Sequence, residues 1–144
     1  MISNKCIYAL KAVLELAMRQ NHGPVTINDI AKSQDIPPRF LEAILRQLKQ
    51  AGITDSLRGK EGGYLLARPA GKISIGEIVR LIEGPLIATS ATVQPESKTE
   101  RHALNEVWAR AEAALGKIYD GTHFADLAKR QTELQAQHIT NYSI

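Results

Sequence analysis

The sequence changes its periodicity at Gly52, and this change limits the folds that the chain can adopt. Before it, apolar residues recur at helical spacing in three segments, 4–20, 25–35 and 36–51. After it, the strand-length segments ITDSLR and YLLARP flank GKEGG, which indicates an antiparallel hairpin. We expect Ile53 and Leu57 to share one face of that hairpin. Its tip is expected to turn at positive φ at three glycines, Gly59, Gly62 and Gly63.

Capping residues indicate where several helices begin and end. Thr26 is predicted to cap the second helix. Ser74 and Glu77 form a capping box at the start of another helix, which Gly84 ends. Thr122 is predicted to cap a last helix, HFADLAKRQTELQ. Together these signals predict a mainly α-helical fold with one small β-hairpin.

The longest periodic segment, HALNEVWARAEAALGKIYDG, predicts a helix with its apolar residues on one side. The residues on that side are Leu104, Val107, Trp108, Ala111, Leu115 and Ile118. A lone helix of this length is marginal in water, so either a second copy or the preceding domain must cover that side. We therefore divide the chain into a domain at 1–84, a mobile connection at 85–101 and a C-terminal unit at 102–144.

Charge is distributed unevenly along the chain. Residues 1–84 contain 12 lysines and arginines against 8 aspartates and glutamates, whereas residues 85–144 contain 6 against 7. The basic excess in the first part is a weak indication of a polyanionic partner. No apolar segment is long enough to span a membrane, no signal peptide is evident, and the single cysteine fits a reducing compartment. We therefore predict a cytoplasmic protein.

Three helices followed by a hairpin are the order of a winged helix-turn-helix, in which the third helix enters the major groove of DNA. Arg39 stands near the start of that helix, and four other cations could neutralise phosphates: Arg46, Lys49, Arg58 and Lys60. Winged helices also dock proteins, so a protein-docking module remains the alternative. RGKEGG lacks the residue order of a phosphate-binding loop, and no catalytic set is visible, so we predict no enzyme activity.

Five motifs follow one another in unbroken order over residues 1–86. They are S-x-K-x-x-Y-A-L at 3–10, G-P-V-x-I-x-D-I-A at 23–31, I-P-x-x-F-L-E-x-I-L-x-x-L at 36–48, A-G-I-x-x-S-x-R-G-x-x-G-G-Y-x-L-A at 51–67 and I-x-E-I-V-R-x-I-E-G at 75–84. In these motifs the chain resembles the Rrf2 family of bacterial winged-helix transcription regulators. The resemblance implies a homodimer, joined through the long helix, that binds double-stranded DNA at an inverted repeat and most often represses.

The resemblance also implies roles for individual residues. Lys5 and Tyr8 match positions that steady the first helix on the phosphate backbone. Arg58 matches a wing arginine that enters the minor groove. With the basic residues above, the predicted DNA-binding set is Lys5, Tyr8, Thr26, Pro38, Arg39, Phe40, Glu42, Ala43, Arg46, Lys49, Arg58, Gly59 and Lys60.

Three members of this set leave alternatives open. Glu42 could accept from a cytosine amino group, but it is also spaced to pair with Arg46 along the helix. Phe40 fits the core equally well. Ala43 departs from the glutamine that some relatives use to contact bases, and it offers only a methyl contact.

Many members of the family bind an iron–sulfur cluster through three cysteines in the connection that corresponds to 85–101, where this sequence has none. Cys6 lies far away on the first helix and is more typical of a small buried residue than of a sensor. The histidines show no metal-ligand spacing: His22, His102, His123 and His138. We therefore predict no cluster or other cofactor. The chain resembles the cluster-free branch of the family, whose members respond to a small molecule or a partner protein or have no known signal.

Overall fold

The computed structural model describes residues 2–87 and 103–142. In chain order its elements are α1 (Asn4–Met18), α2 (Ile27–Gln34), α3 (Pro38–Gln50), β1 (Thr54–Leu57), β2 (Gly63–Leu66), a 3-10 turn (Ala70–Lys72), α4 (Ile75–Glu83), α5 (Ala103–Asp120) and α6 (Phe124–Tyr142). The prediction of a mainly helical fold with a small hairpin is confirmed. Residues 88–101 of the predicted mobile connection lie outside the described residues.

Side-chain caps begin α2 and α4 where the sequence predicts them. The Thr26 hydroxyl accepts from the N–H of Asp29 at 3.1 Å. The Ser74 hydroxyl accepts from the N–H of Glu77 at 3.3 Å. The Glu77 carboxylate, however, accepts a hydrogen bond from the Arg68 guanidinium at 2.5 Å, so its partner is a residue outside the predicted capping box.

β1 and β2 pair in antiparallel register from Thr54 opposite Leu66 to Leu57 opposite Gly63. We call these strands and the residues 58–62 between them the wing. Ile53, just ahead of β1, is buried, whereas Leu57, predicted to share its face, is 55% exposed. The difference arises because β1 contacts the core at its beginning and then extends beyond it.

The glycines of the wing are needed for two different reasons. Gly59 and Gly63 have positive φ, at 111° and 151°, as predicted. Gly62 is not among the residues with positive φ, so that part of the prediction is wrong. A Cβ at Gly62 would instead collide with the carbonyl oxygen of Leu57, so glycine is required there for space.

The core lies where α1, α2 and α3 meet the base of the wing. α1 is central to it, with Ala9, Val13 and Leu16 buried, and it packs on α2, α3, α4 and α6. Ile78 of α4 and Phe124 of α6 complete the core. The buried side of α3 consists of Leu41, Ile44, Leu45 and Leu48.

The C-terminal helices differ in part from their prediction. α5 matches the predicted long helix, but none of residues 103–120 is buried, and the helix packs mainly on α4. The Thr122 hydroxyl donates to the carbonyl of Ile118 at 2.6 Å, so it closes α5 and does not cap α6 as predicted. α6 also continues to Tyr142, seven residues past the predicted segment. Within residues 2–87 and 103–142, no helix has both the length and the hydrophobicity needed to cross a membrane.

Candidate nucleic-acid interface

The turn between α2 and α3 directs the start of α3 outward. Asp35 adopts the left-handed conformation, with φ of 54°, which is uncommon for a residue with a side chain. Buried Ile36 follows, and its N–H donates to the carbonyl of Ala31 at 2.9 Å. Pro38 then occupies the first turn of α3, where its missing N–H leaves no hydrogen bond unmade.

α3 has two distinct faces, as its sequence predicts. One face is buried in the core. The exposed residues of α3 include seven of the predicted DNA-binding set: Pro38, Arg39, Phe40, Glu42, Ala43, Arg46 and Lys49. The buried face fixes the helix on the domain, so the other face is available to a major groove.

An aromatic stack joins the beginnings of α1 and α3. The rings of Tyr8 and Phe40 are stacked, with centroids 5.9 Å apart. The guanidinium carbon of Arg39 lies 4.8 Å from the Phe40 centroid, within the range of a cation–π contact. Phe40 is 42% exposed, so it does not belong to the core. Lys5 and Ala43 also line the groove of about 300 Å³ beside this stack.

Two cations of α3 have partners within the chain. Arg46 pairs with Glu42 at 3.2 Å, and both side chains are 65% exposed. The pairing predicted from their spacing is therefore present. Lys49 donates to the hydroxyl of Ser56 at 2.6 Å, which links the end of α3 to β1.

The wing is held against the start of α2 by backbone pairing. The N–H of Val25 donates to the carbonyl of Tyr64 at 2.8 Å, and the N–H of Tyr64 donates back to Val25 at 2.8 Å. Gly63 makes this approach possible, because a Cβ there would lie 2.5 Å from the Val25 carbonyl oxygen. Thr26, exposed beside this pairing, uses its hydroxyl as the α2 cap.

The wing tip presents two cations. Gly59 turns the tip, and its carbonyl accepts from the N–H of Gly62 at 3.1 Å. Arg58 and Lys60 are exposed, and neither side chain forms an ion pair or hydrogen bond with any part of the chain that the structure describes. Two free cations on a fixed hairpin form a surface suited to a polyanion.

The contacts that fix the wing were not predicted from the sequence. Ser56 gives no signal in the sequence as a partner for Lys49, and Val25 gives none as a partner for Tyr64. Both contacts join residues distant in the sequence or in different elements, so no local pattern reports them. The two reciprocal backbone bonds between Val25 and Tyr64 resemble those of a third strand. A strand of a single residue is too short for a sequence pattern to predict.

The residues predicted for dimerisation are largely exposed in this single chain. Leu104, Val107, Trp108 and Ile118 are 53%, 49%, 40% and 62% exposed. Ala111 and Leu115 are half-buried. Leu115 lies in a crevice of about 310 Å³ beside α4, whose lining includes Val79 and Glu83. α4 therefore covers only part of the apolar side of α5.

Cys6 is fully buried on α1. Burial, with a smaller contribution from the charge of Glu83, raises the pKa of its thiol from 9.0 to about 11. The thiol is therefore protonated at neutral pH and is a poor nucleophile or metal ligand. No group of three or more histidine, cysteine or acidic residues arranged to hold a metal ion occurs among the described residues.

Comparison with known proteins finds similarity over most of the chain. Residues 2–130 match the family model described as "Rrf2: Iron-dependent Transcriptional regulator". The HTH-type transcriptional regulator CymR of Bacillus subtilis is 33% identical over 127 residues, which cover 88% of each chain. The HTH-type transcriptional regulator IscR of Citrobacter koseri is 36% identical, with 96% of this chain and 91% of that protein covered. The solved structure of CymR, the global cysteine regulator of B. subtilis, is similar with a TM-score of 0.77 and 32% identity, covering 90% of this chain and 97% of that one.

Proposed function

The chain belongs to the Rrf2 family of transcriptional regulators, and from that premise we propose that it represses transcription as a homodimer bound to an inverted-repeat operator. Membership of the family makes it a DNA-binding transcriptional regulator and not an enzyme. A repressor of this kind blocks a promoter sterically. Two reading helices related by a two-fold axis meet successive major grooves, which is why the operator is an inverted repeat.

The observation that supports DNA contact most directly is the pair of free cations at the wing tip. In the proposed complex Arg58 enters the minor groove, and Lys60 neutralises a phosphate. Lys49 links α3 to β1, so the wing and α3 keep a fixed relation to each other. A single duplex can then meet both without reorganisation of the protein.

α3 contacts the major groove with its exposed N-terminal end in this proposal. Arg39 donates to a guanine, and Phe40 and Ala43 offer apolar surface to a thymine methyl group. Arg46 neutralises a phosphate, although its ion pair with Glu42 offsets part of its positive charge. The flanking contacts to the backbone come from the remaining predicted residues: Lys5, Tyr8, Thr26, Pro38, Lys49 and Gly59.

The proposed dimer is supported by the exposed apolar side of α5. An 18-residue helix with no buried residue is not stabilised by its own chain alone. Trp108 provides a large anchor and Ala111 permits close approach of a second helix, in a surface completed by Leu104, Val107, Leu115 and Ile118.

We further propose that this member of the family binds no iron–sulfur cluster. A cluster needs several thiolate or imidazole ligands, whereas the whole sequence has one cysteine, and Cys6 is buried with a raised pKa. The residues present therefore do not fit the group that the family description suggests. The proposed signal is a small molecule or a partner protein, with the crevice beside α5 as its entry point, and the proposed location is the cytoplasm. Reconstitution with iron and sulfide in the absence of oxygen tests the proposal that no cluster is bound, since a stoichiometric cluster in the product would refute it.

Sequencing of genomic DNA recovered with the protein tests the function as a whole. The expected result is a shared inverted repeat next to promoters, with binding that weakens steeply as salt rises. Recovery of no common sequence, together with salt-insensitive capture of one protein partner, would instead favour a protein-docking winged helix.

A further inference from the structure

The joint between the winged-helix region and α5 is small. α5 packs mainly on α4 and buries none of its own residues. Two backbone hydrogen bonds fix the chain just after its C-terminal end. The N–H of Ile75 donates to the carbonyl of Thr122 at 2.9 Å, and the N–H of Phe124 donates to that of Ile73 at 3.0 Å. These bonds act as a pivot, and they do not determine the direction in which the rest of α5 points.

Among the described residues, one ion pair crosses from α4 to α5. Arg80 donates to both carboxylate oxygens of Asp120, with Nη1 2.5 Å from Oδ1 and Nη2 3.0 Å from Oδ2. Two parallel bonds between planar groups fix an orientation as well as a distance. The hydrogen bond from Arg80 lowers the pKa of Asp120, so the pair is charged at neutral pH.

Gly76 of α4 provides the space that this pair occupies. A Cβ at Gly76 of α4 would collide with Oδ1 of Asp120 and lie 2.8 Å from Nη1 of Arg80. A Cβ at Gly116 of α5 would lie 3.6 Å from Nη2 of Arg80, an ordinary van der Waals contact, so the pair does not require glycine there. The carboxylate of Asp120 thus rests directly on the α4 backbone, and the two helices meet through the ion pair.

We propose that Arg80 and Asp120 are positioning residues that set the direction of α5 and so the half-site spacing that the dimer accepts. This inference rests on the proposed homodimer. α5 is about 27 Å long, so a rotation of about 10° at Asp120 moves its other end by about 5 Å. That displacement exceeds the rise of about 3.4 Å between successive base pairs. A change of about 10° at the pair therefore changes the register of the two reading helices on DNA.

The pair is too exposed to serve mainly as a stabiliser of the fold. The side chains of Arg80 and Asp120 are 44% and 51% exposed, and exposed ion pairs add little to folding stability. Removal of the pair is therefore expected to alter the geometry of the dimer more than the melting temperature of the protein.

Selection from a pool of random DNA duplexes tests the proposal, with wild-type protein and variants run in parallel. Arg80→Met removes the pair. Gly76→Ala keeps both charges and displaces the Asp120 carboxylate with a methyl group. The matched control is Arg130→Met, because Arg130 pairs with Glu133 inside α6 at similar exposure, 56% and 49%, and crosses no joint.

The wild type and the control are expected to enrich one inverted repeat with one spacing. Both joint variants should enrich the same half-site with several spacings. One inserted base pair should weaken wild-type binding by roughly tenfold, the cost of a typical mismatch, but weaken the variants by less than about threefold. If the Arg80→Met and Gly76→Ala variants are folded and dimeric but select the same single half-site spacing as the wild type, this inference is wrong while the homodimer proposal stands. Absence of any inverted repeat in the wild-type selection would overturn the homodimer proposal and the inference with it.

Discussion

α3 and α5 are both amphipathic in sequence, but only α3 has its apolar side covered within the chain. Four of the 13 residues of α3 are buried in the core. None of the 18 residues of α5 is buried. The exposed side of α3 carries charged residues around Phe40, and the exposed side of α5 includes Trp108 and Val107. The comparison supports the proposal that the DNA-reading part is complete in one chain, whereas the apolar side of α5 is covered by a second chain.

The largest effect is expected from Leu45→Ala in α3. Leu45 is fully buried, so its truncation removes apolar contacts and leaves a cavity. The free energy of unfolding should fall by about 2–5 kcal/mol in denaturant titrations. Leu57→Ala, at an exposed leucine of the wing, is the control and should change it by at most about 0.5 kcal/mol. Equal effects of the two substitutions would mean that α3 is not anchored as described.

Trp108→Ala is expected to weaken the dimer by about 2–4 kcal/mol, because a central tryptophan is typical of binding hot spots. Sedimentation equilibrium measures the change as a dissociation constant raised by roughly 30- to 1,000-fold. Leu57→Ala again serves as the control and should leave dimerisation unaltered. A monomeric wild type at micromolar concentration, or an unaffected dimer in the variant, would remove the distinction between α3 and α5.

Arg58→Ala is expected to cost about 1–3 kcal/mol of operator affinity, since it removes one groove contact. Lys129→Ala removes an exposed positive charge from α6 and is the matched control. Titration of a labelled operator at fixed salt should separate the two variants by at least about fivefold. If both variants lose the same small amount, net charge and not the wing determines binding.

Glu42→Gln is expected to have the smallest effect and decides between the two interpretations of Glu42. As an exposed partner of Arg46, it contributes only about 0.3–0.5 kcal/mol to stability. Removal of the Glu42 carboxylate leaves the charge of Arg46 unpaired, so binding to non-operator DNA should tighten by about twofold and depend more steeply on salt. If Glu42 instead accepts from a cytosine, operator affinity should fall by about 1–3 kcal/mol while non-operator binding does not fall.

The parts of the fold that depend on neighbours in sequence were predictable. The Thr26 cap and the Glu42–Arg46 pair each follow from residues three or four positions apart. The parts that depend on distant partners were not. Val25 and Tyr64, whose backbones pair, are 39 positions apart, and no local pattern reports their contact.

The candidate site shows the same division. The exposed face of α3 follows from its helical period, so its residues were predictable. The exposure of Phe40 depends on its stack against Tyr8 of another helix, so the sequence left it open between core and surface. The extension of α6 past Gln135 was also missed, because Thr140 and Asn141 have low intrinsic helix propensity.

The contact of Gly63 with Val25 has a consequence for redesign of the wing. A library that aims to retarget this protein to other DNA sequences can vary Lys60 and Glu61, which are exposed at the tip. It should keep Gly62 and Gly63 constant, because a larger residue at Gly62 would collide with the Leu57 carbonyl oxygen and a larger residue at Gly63 would push the wing off Val25. A library can therefore randomise the codons of Lys60 and Glu61, whereas the codons of Gly62 and Gly63 must continue to encode glycine.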